Sequence, residues 1–329
     1  MKVLVTGSTG FIGAALCRAL VDRGNEVRAF HRVSSSLRML KDLPVEHVIG
    51  DLTQPESIAS AMQGVEVVFH AGALLGARQG RMYTVTVEGT RAVMQAALHA
   101  GVRRVVHTSS VAALGLPADT PAGGRPEILN ENHTWNSTPD AYPYGYAKYL
   151  AELEVQRAVA QGLDAVIVNP AVVFGAGDVY RLNSSIVVQF VQGKVPFSVE
   201  GGLNAVHIDD VVAGHLAALE QGHRGERYIL AGENMTHTEL LRKIAVAAGL
   251  PPLRVELPAG LVRAAAGPLS LFSAVIRLPV NMDEIHLAGK YFYYDTRKAQ
   301  TDLRLPAPKP ANEALAEALT WFQANGAVK

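Results

Sequence analysis

Apolar and polar positions along the first half of the chain fall into alternating blocks. Short β-branched runs occur at Lys2 to Thr6, Glu26 to Phe30, Val45 to Ile49, Glu66 to Phe69, Arg103 to His107 and Asp164 to Asn169. Segments with helical spacing follow them, most clearly Phe11 to Asp22 and, more briefly, Ser35 to Lys41. The runs are nearly continuous in apolar residues, as strands covered on both faces require. This alternation predicts an α/β fold, a doubly wound parallel sheet of the Rossmann kind with helices on both faces. From about residue 172 the regularity breaks. A helical piece lies around Ser185 to Gln192, and Val206 to Asp209 reads as another sheet strand leading into a helix, Asp210 to Glu220. Arg227 to Leu230 reads as one more strand, and the chain beyond Gly232 is mostly helical. The predicted division is a Rossmann-type domain from 1–171 plus about 204–231, and a smaller, mostly helical lobe from about 172–203 and 232–329.

Composition narrows the classes. With 49% hydrophobic and 18% charged residues over 329 positions, the chain buries a sizeable core and is not disordered. Its 30 basic and 30 acidic side chains cancel without a basic block, so no nucleic-acid partner is expected. One cysteine, Cys17, forms no internal disulfide, which fits a reducing, cytoplasmic setting. Met1 to Gly7 runs straight into an apolar strand and a glycine turn, unlike a signal peptide. The most membrane-like stretch, Leu257 to Val280, is broken by Arg263, Gly267, Pro268 and Arg277. Its longest uncharged piece, Ala264 to Ile276, is too short to span, so the segment reads as a lobe over the substrate, with a monotopic membrane contact as the alternative. The histidines show no metal-ligand spacing, and no metal is expected.

The first turn carries Thr6-Gly7-Ser8-Thr9-Gly10-Phe11-Ile12-Gly13 between strand and helix. Gly7 suits the tight turn, Gly10 lets backbone approach a pyrophosphate, and Gly13 lets the helix pack close to the strand. The helix N–H groups then face an anion. An NAD site would place an acidic residue about 20 positions on, at the end of the second strand. Here the sequence is instead Val27-Arg28-Ala29-Phe30-His31-Arg32-Val33, followed by Ser34, Ser35 and Ser36. Arg32 suits a 2′-phosphate and Ser35 adds a hydroxyl, so NADP(H) is favoured over NAD(H).

Tyr144-Gly145-Tyr146-Ala147-Lys148 places a tyrosine four residues before a lysine, one turn apart on a helix. A free phenol titrates near 10 and needs a neighbouring cation to exchange protons at neutral pH. Lys148 is that cation. Val105 to Val111 is a buried strand ending in hydroxyls, Thr108-Ser109-Ser110, at the sheet edge where ligands of doubly wound folds bind. Ser110 is placed to polarise a substrate carbonyl while Tyr144 protonates it and hydride arrives from a nicotinamide.

These pieces resemble the extended short-chain dehydrogenase/reductase superfamily, of the NAD-dependent epimerase/dehydratase type. The matching segments run in the family's order: Thr6 to Gly13, Gly50 to Leu52, His70 to Ala73, Val87 to Thr90, His107 to Ser110, Tyr144 to Lys148, Asn169 to Gly175 and Val206 to Asp210. The resemblance implies cofactor contacts at Asp51 and Leu52, at Ala71, Gly72 and Ala73, and at Thr108. It also implies Lys148 on the nicotinamide ribose, Pro170, Val172 and Val173 beside the nicotinamide, Ser110 rather than Ser109 as the catalytic serine, and a homodimer through the helices at Thr90 to His99 and Tyr144 to Gln161. Thr86 stands where the family usually has asparagine, which puts an asparagine-dependent proton relay in question. Sugar-nucleotide members usually carry an Arg-Asp pair that grips diphosphate; Leu203-Asn204-Ala205 stands there instead. The chain is similar to dihydroflavonol reductase-like and hydroxysteroid dehydrogenase-like members, and to hopanoid-associated sugar epimerases. The expected function is an NADP(H)-dependent oxidoreductase acting on a small to medium, partly apolar carbonyl or alcohol. A nucleotide-sugar epimerase or dehydratase and a non-catalytic NADP(H) sensor are the alternatives.

Other residues take quieter readings. His207 is expected to be structural, or else to line the substrate pocket, and Asp209 or Asp210 to cap the next helix. His70 is expected near the cofactor without proton chemistry. The stretch from Leu116 to Asp140 is long enough to be a lid or binding loop.

Overall fold

A computed structural model describes residues 1–74, 79–121, 123–180, 185–264 and 282–328. The principal strands are β1 (Lys2–Thr6), β2 (Glu26–His31), β3 (Glu46–Ile49), β4 (Val67–His70), β5 (Arg104–Thr108), β6 (Ala165–Pro170), β7 (Val172–Phe174), β8 (Gly202–His207), β9 (Arg227–Leu230) and β10 (Glu233–Thr236). The principal helices are α1 (Phe11–Asp22), α2 (Pro55–Ala61), α3 (Gly89–His99), α4 (Pro143–Ala160), α5 (Ile208–Gln221), α6 (His237–Ala248) and α7 (Ala311–Ala324).

Seven strands form one all-parallel sheet in the order β9-β6-β5-β4-β1-β2-β3. Alternate side chains explain its two covered faces. Val3, Val5, Val67, Phe69, Val106 and Val168 pack on one side against Leu16 and Leu20 of α1 and Val211, Leu216 and Leu219 of α5. Leu4, Val68, Val105 and Ile167 point the other way, against Ile58, Val93, Met94 and Val155 of α2, α3 and α4. Each fully buried side chain of this size contributes about 1.5–3 kcal/mol, so burial on two faces, rather than the edge strands, holds the sheet.

A second cluster draws mainly on the segments expected to form the lobe. Phe174 of β7, Ala205 of β8 and Met235 of β10 meet Leu240, Leu241 and Ile244 of α6 and Leu315, Leu319 and Phe322 of α7. The ends of α6 are specified locally. Thr236 and Glu239 form a reciprocal capping box, and Gly249 closes the helix at φ +64°.

Two sequence expectations need correction. The strand expected at Val206 to Asp209 runs from Gly202 to His207 and joins a separate three-stranded sheet, parallel to β7 and antiparallel to β10. Asn204 locks it there, its amide nitrogen on Asn234 Oδ1 and its oxygen accepting from Gly232 N–H, both at 2.7 Å. The helix expected near Ser35 to Lys41 is a series of turns instead, closed by Ser35 N–H to Arg32 O and Leu40 N–H to Leu37 O. Consecutive serines compete for backbone bonds and Pro44 disfavours helical Leu43, so buried Leu40, with half-buried Met39 beside it, anchors the segment. Most of the apolar stretch up to Val280 lies outside the described residues. Among the described residues no helix is long and apolar enough to cross a membrane.

Candidate active site

Strand order reverses between β1 and β4, and ligands of open parallel sheets bind beyond the carboxyl ends at such a point. A cleft of about 660 Å³ opens there. It is lined by Gly7, Thr9, Gly10, Phe11, Ile12, Gly13, Arg32, Ser35, Asp51, Leu52, Ala71, Gly72, Ala73, Thr108, Tyr144 and Lys148, all singled out from the sequence. The glycines hold its floor. Gly7 sits at φ +65°, and a Cβ there would lie 2.7 Å from Gly72 backbone; a Cβ on Gly13 would lie 2.1 Å from Gly7 O. Gly10 precedes α1 without a side-chain cap, leaving the first N–H groups of that helix to the cleft.

Four expected residues do not line this cleft. Pro170 is buried at the end of β6, Val172 packs against the lobe cluster, and Val173 is core. Ser110 sits just behind the lining, where its hydroxyl caps the turn Val111–Leu114 by accepting from Ala112 N–H at 3.2 Å. The structure does bring Ser110 to Tyr144, close enough for its hydroxyl to favour the phenolate. Among the described residues, sequence reasoning missed twelve further lining residues, including Arg81, Thr84, Ser109, Asp178 and Tyr180. Ser109 lay in the flagged hydroxyl run, whereas no local signal marked Asp178, which is 1% exposed.

Helix α4 carries both Tyr144 and Lys148, as the four-residue spacing requires. Lys148 is 3% exposed and donates from Nζ to the Thr108 carbonyl at 2.9 Å. Burial lowers its pKa to about 8, with the Glu152 carboxylate opposing. The expected lowering of the Tyr144 pKa is not found. Loss of water around the phenol raises it, and the Ser110 hydrogen bond pulls the other way without prevailing.

Behind the cleft a hydrogen-bonded chain has a fixed direction. Thr90 Oγ1 donates to Thr86 O at 2.6 Å, so it accepts from His70 Nε2–H at 3.0 Å. His70 Nδ1 then accepts from Thr6 Oγ1 at 2.6 Å, and Thr6 in turn accepts from Gly72 N–H at 3.3 Å. Burial, then the charge of Lys148, lowers the His70 pKa to about 3, so the ring is neutral. Thr86, in place of the family's asparagine, accepts from Leu74 N–H at 3.2 Å and steadies the segment after β4.

His207 is fully buried and structural. Its Nδ1 accepts from Asp209 N–H at 3.0 Å, so it is the cap of α5, a correction to the expected Asp209 or Asp210. Those carboxylates instead hold Lys309, Asp209 on Nζ at 2.7 Å and Asp210 on the backbone N–H at 2.8 Å. The long loop is pinned rather than loose. Ile128–Leu129 pairs with Tyr293–Tyr294, and Trp135 stacks on Tyr142 and Tyr149 at 6.3 and 5.6 Å. Among the described residues no cluster of His, Cys, Asp and Glu could hold a metal ion.

Comparison with known proteins places this arrangement. Residues 3–231 match the NAD dependent epimerase/dehydratase family. The chain is 37% identical over 337 residues to sterol demethylase protein B of Methylococcus capsulatus, covering 100% of both chains. It is 31% identical over 314 residues to the 4-hydroxy-2-methyl-3-oxo-4-farnesyl-3,4-dihydroquinoline-1-oxide ketoreductase of Stigmatella aurantiaca, covering 92% of this chain and 91% of the relative. The crystal structure of gox2253 superimposes with a TM-score of 0.86 at 35% identity, over 100% of this chain and 99% of that one. The protein is a member of the NAD dependent epimerase/dehydratase family within the extended short-chain dehydrogenase/reductase superfamily, an NAD(P)-binding enzyme of the dehydrogenase/reductase kind.

Proposed function

We propose that this enzyme is an NADP(H)-dependent oxidoreductase that reduces a ketone or aldehyde, or oxidises the matching alcohol, on a small to medium, partly apolar substrate. The observation that carries the reading is that Ser110 stands close enough to Tyr144 to act on its phenol, with Lys148 one turn along the same helix, at the inner end of the cleft beyond the sheet. The cofactor fits the residues present. Gly7 and Gly13 leave no room for side chains, the start of α1 offers uncapped N–H groups, and the buried Ser109 hydroxyl in the lining has no protein partner among the described residues. When bound, the nicotinamide supplies or accepts hydride. Tyr144 gives its proton to the substrate oxygen, Ser110 donates a hydrogen bond to that oxygen, and Lys148 holds the ribose and offers positive charge to the phenolate left behind.

Preference for NADP(H) is supported at the outer end. Arg32 is exposed and makes no ion pair among the described residues, and Ser35 lies beside it in the lining. Asp51 already uses Oδ1 to accept from the Thr53 amide and hydroxyl, both at 2.9 Å. An apolar substrate is supported by two features. Asn204, in the stretch where a diphosphate-gripping pair would stand, is 1% exposed and committed to Asn234 and Gly232. Two relatives are named for a sterol and for a farnesylated ketone.

The test is absorbance at 340 nm with NADPH and a panel of ketones and aldehydes. Net NADPH consumption, faster than with NADH, is the expected result. Conversion of a nucleotide sugar without net redox would replace this reading with epimerisation, and tight NADPH binding with no turnover on any substrate would replace it with sensing.

A further inference from the structure

A carboxylate taken out of water must be met by donors or cations. Glu152, one turn beyond Lys148 on α4, is 5% exposed and has both its oxygens engaged. Oε1 accepts from Asn169 Nδ2 at 2.6 Å, and Oε2 lies 3.4 Å from Arg227 Nη1. The same Asn169 nitrogen donates to the Ser110 carbonyl at 2.9 Å. Asn169 is fully buried at the end of β6, so it has no solvent to turn towards. Arg227 spends its other N–H groups on the long loop, donating to Glu131 O at 2.9 Å and His133 O at 2.6 Å. One chain of polar contacts, buried at Glu152 and Asn169, thus runs from the loop through Arg227, Glu152 and Asn169 to the backbone of Ser110.

We propose that Glu152 is a positioning residue, aligning Ser110 through Asn169 and keeping the Lys148 ammonium charged. The inference rests on the reading that Ser110, Tyr144 and Lys148 carry the reaction. Among the described residues the other titratable groups beside Lys148 are the phenol of Tyr144, four positions back on its own helix, and two buried imidazoles, His70 of β4 and His107 of β5, both held neutral by burial. None of them is an anion. Arg227 faces Glu152 and partly offsets it, but at a longer distance than Asn169 and with its donors shared among loop carbonyls. Glu152 is therefore the charge that offsets the burial of Lys148.

Two substitutions separate the two roles. Glu152→Gln keeps an acceptor for Asn169 and removes the charge; Glu152→Asp keeps the charge and shortens the reach. The readouts are kcat and kcat/KM against pH, and NADPH affinity against pH by fluorescence. With Glu152→Gln, the alkaline limb of both profiles is expected to move down by about one pH unit. With Glu152→Asp, the limb stays near wild type and kcat falls roughly tenfold as Ser110 loses its anchor. Arg227→Met, which removes the cation beside Glu152, moves the limb upward, and this opposite sign remains measurable should Glu152→Gln fold poorly. Superimposable pH profiles for wild type, Glu152→Gln and Arg227→Met would overturn the proposal. If no carbonyl turns over, the reductase reading fails while the NADPH titration still decides whether Glu152 governs Lys148.

Discussion

The two ends of the cleft are built on opposite principles. At the outer end Arg32 is exposed and Ser35 and Asp51 are half-buried, so charges there act through water. At the inner end Lys148 is 3% exposed, Ser109 4%, His107 1% and His70 fully buried. An exposed cation is screened by salt and contributes little until an anion arrives. A buried polar group must be satisfied within the protein or costs about 1–3 kcal/mol. The proposed cofactor preference therefore rests on side chains that change independently, whereas at the inner end Lys148 and His70 are tied into shared contacts that one substitution disturbs, and the side chains of Ser109 and His107 have no hydrogen-bond partner among the described residues.

The sharpest break of this contrast is Tyr144→Phe at the inner end. It is expected to lower kcat about 10³-fold while NADPH affinity and thermal unfolding stay near wild type; a variant turning over at the wild-type rate would remove Tyr144 from the chemistry. Next comes acid stability, which tests the burial itself. Desolvation lowers the pKa of His70 to about 3, that of His215 to about 4 and that of His107 well below its ordinary value. Between pH 6.5 and about 4 the unfolded chain binds protons that the folded chain refuses, so stability falls as pH falls through that window. Urea unfolding at pH 7, 6 and 5 should show it, and a flat profile would mean that these rings gain protons within the fold.

At the outer end Arg32→Ala is expected to weaken NADPH about 10- to 100-fold with NADH almost unaffected, and to flatten the salt dependence of NADPH binding. Equal losses for both cofactors would show that Arg32 does not discriminate. The smallest effect is that of Ser109→Ala. Removing a buried hydroxyl that has no protein partner among the described residues leaves the free enzyme as stable or slightly more so, while NADPH binds a few-fold more weakly. Unchanged NADPH affinity would show that the cofactor does not use this hydroxyl.

Much of the outer end, and one spacing of the inner end, was legible along the chain because these signals are local. The glycine turn, the strand-end Arg32 and the Tyr144–Lys148 spacing each depend on residues a few positions apart, and backbone geometry converts such spacing into placement. The contacts that set the inner end join distant segments: Thr6 with His70, Lys148 with Thr108, Glu152 with Asn169 and Arg227. No periodicity marks them. Pro170, Val172 and Val173 show the same limit, since whether the chain after β6 faces the cleft or the lobe depends on where β8 pairs.

By itself the sequence determined the parallel sheet, the phosphate-facing turn and the helix bearing tyrosine and lysine, because apolar periodicity, glycine's missing side chain and helical pitch are properties of neighbouring residues. Tertiary structure alone decided the charge states of the site. A raised Tyr144, a Lys148 near 8 and three neutral histidines follow from how much water the surrounding segments exclude and which partners they bring, and desolvation is a property of the packed whole.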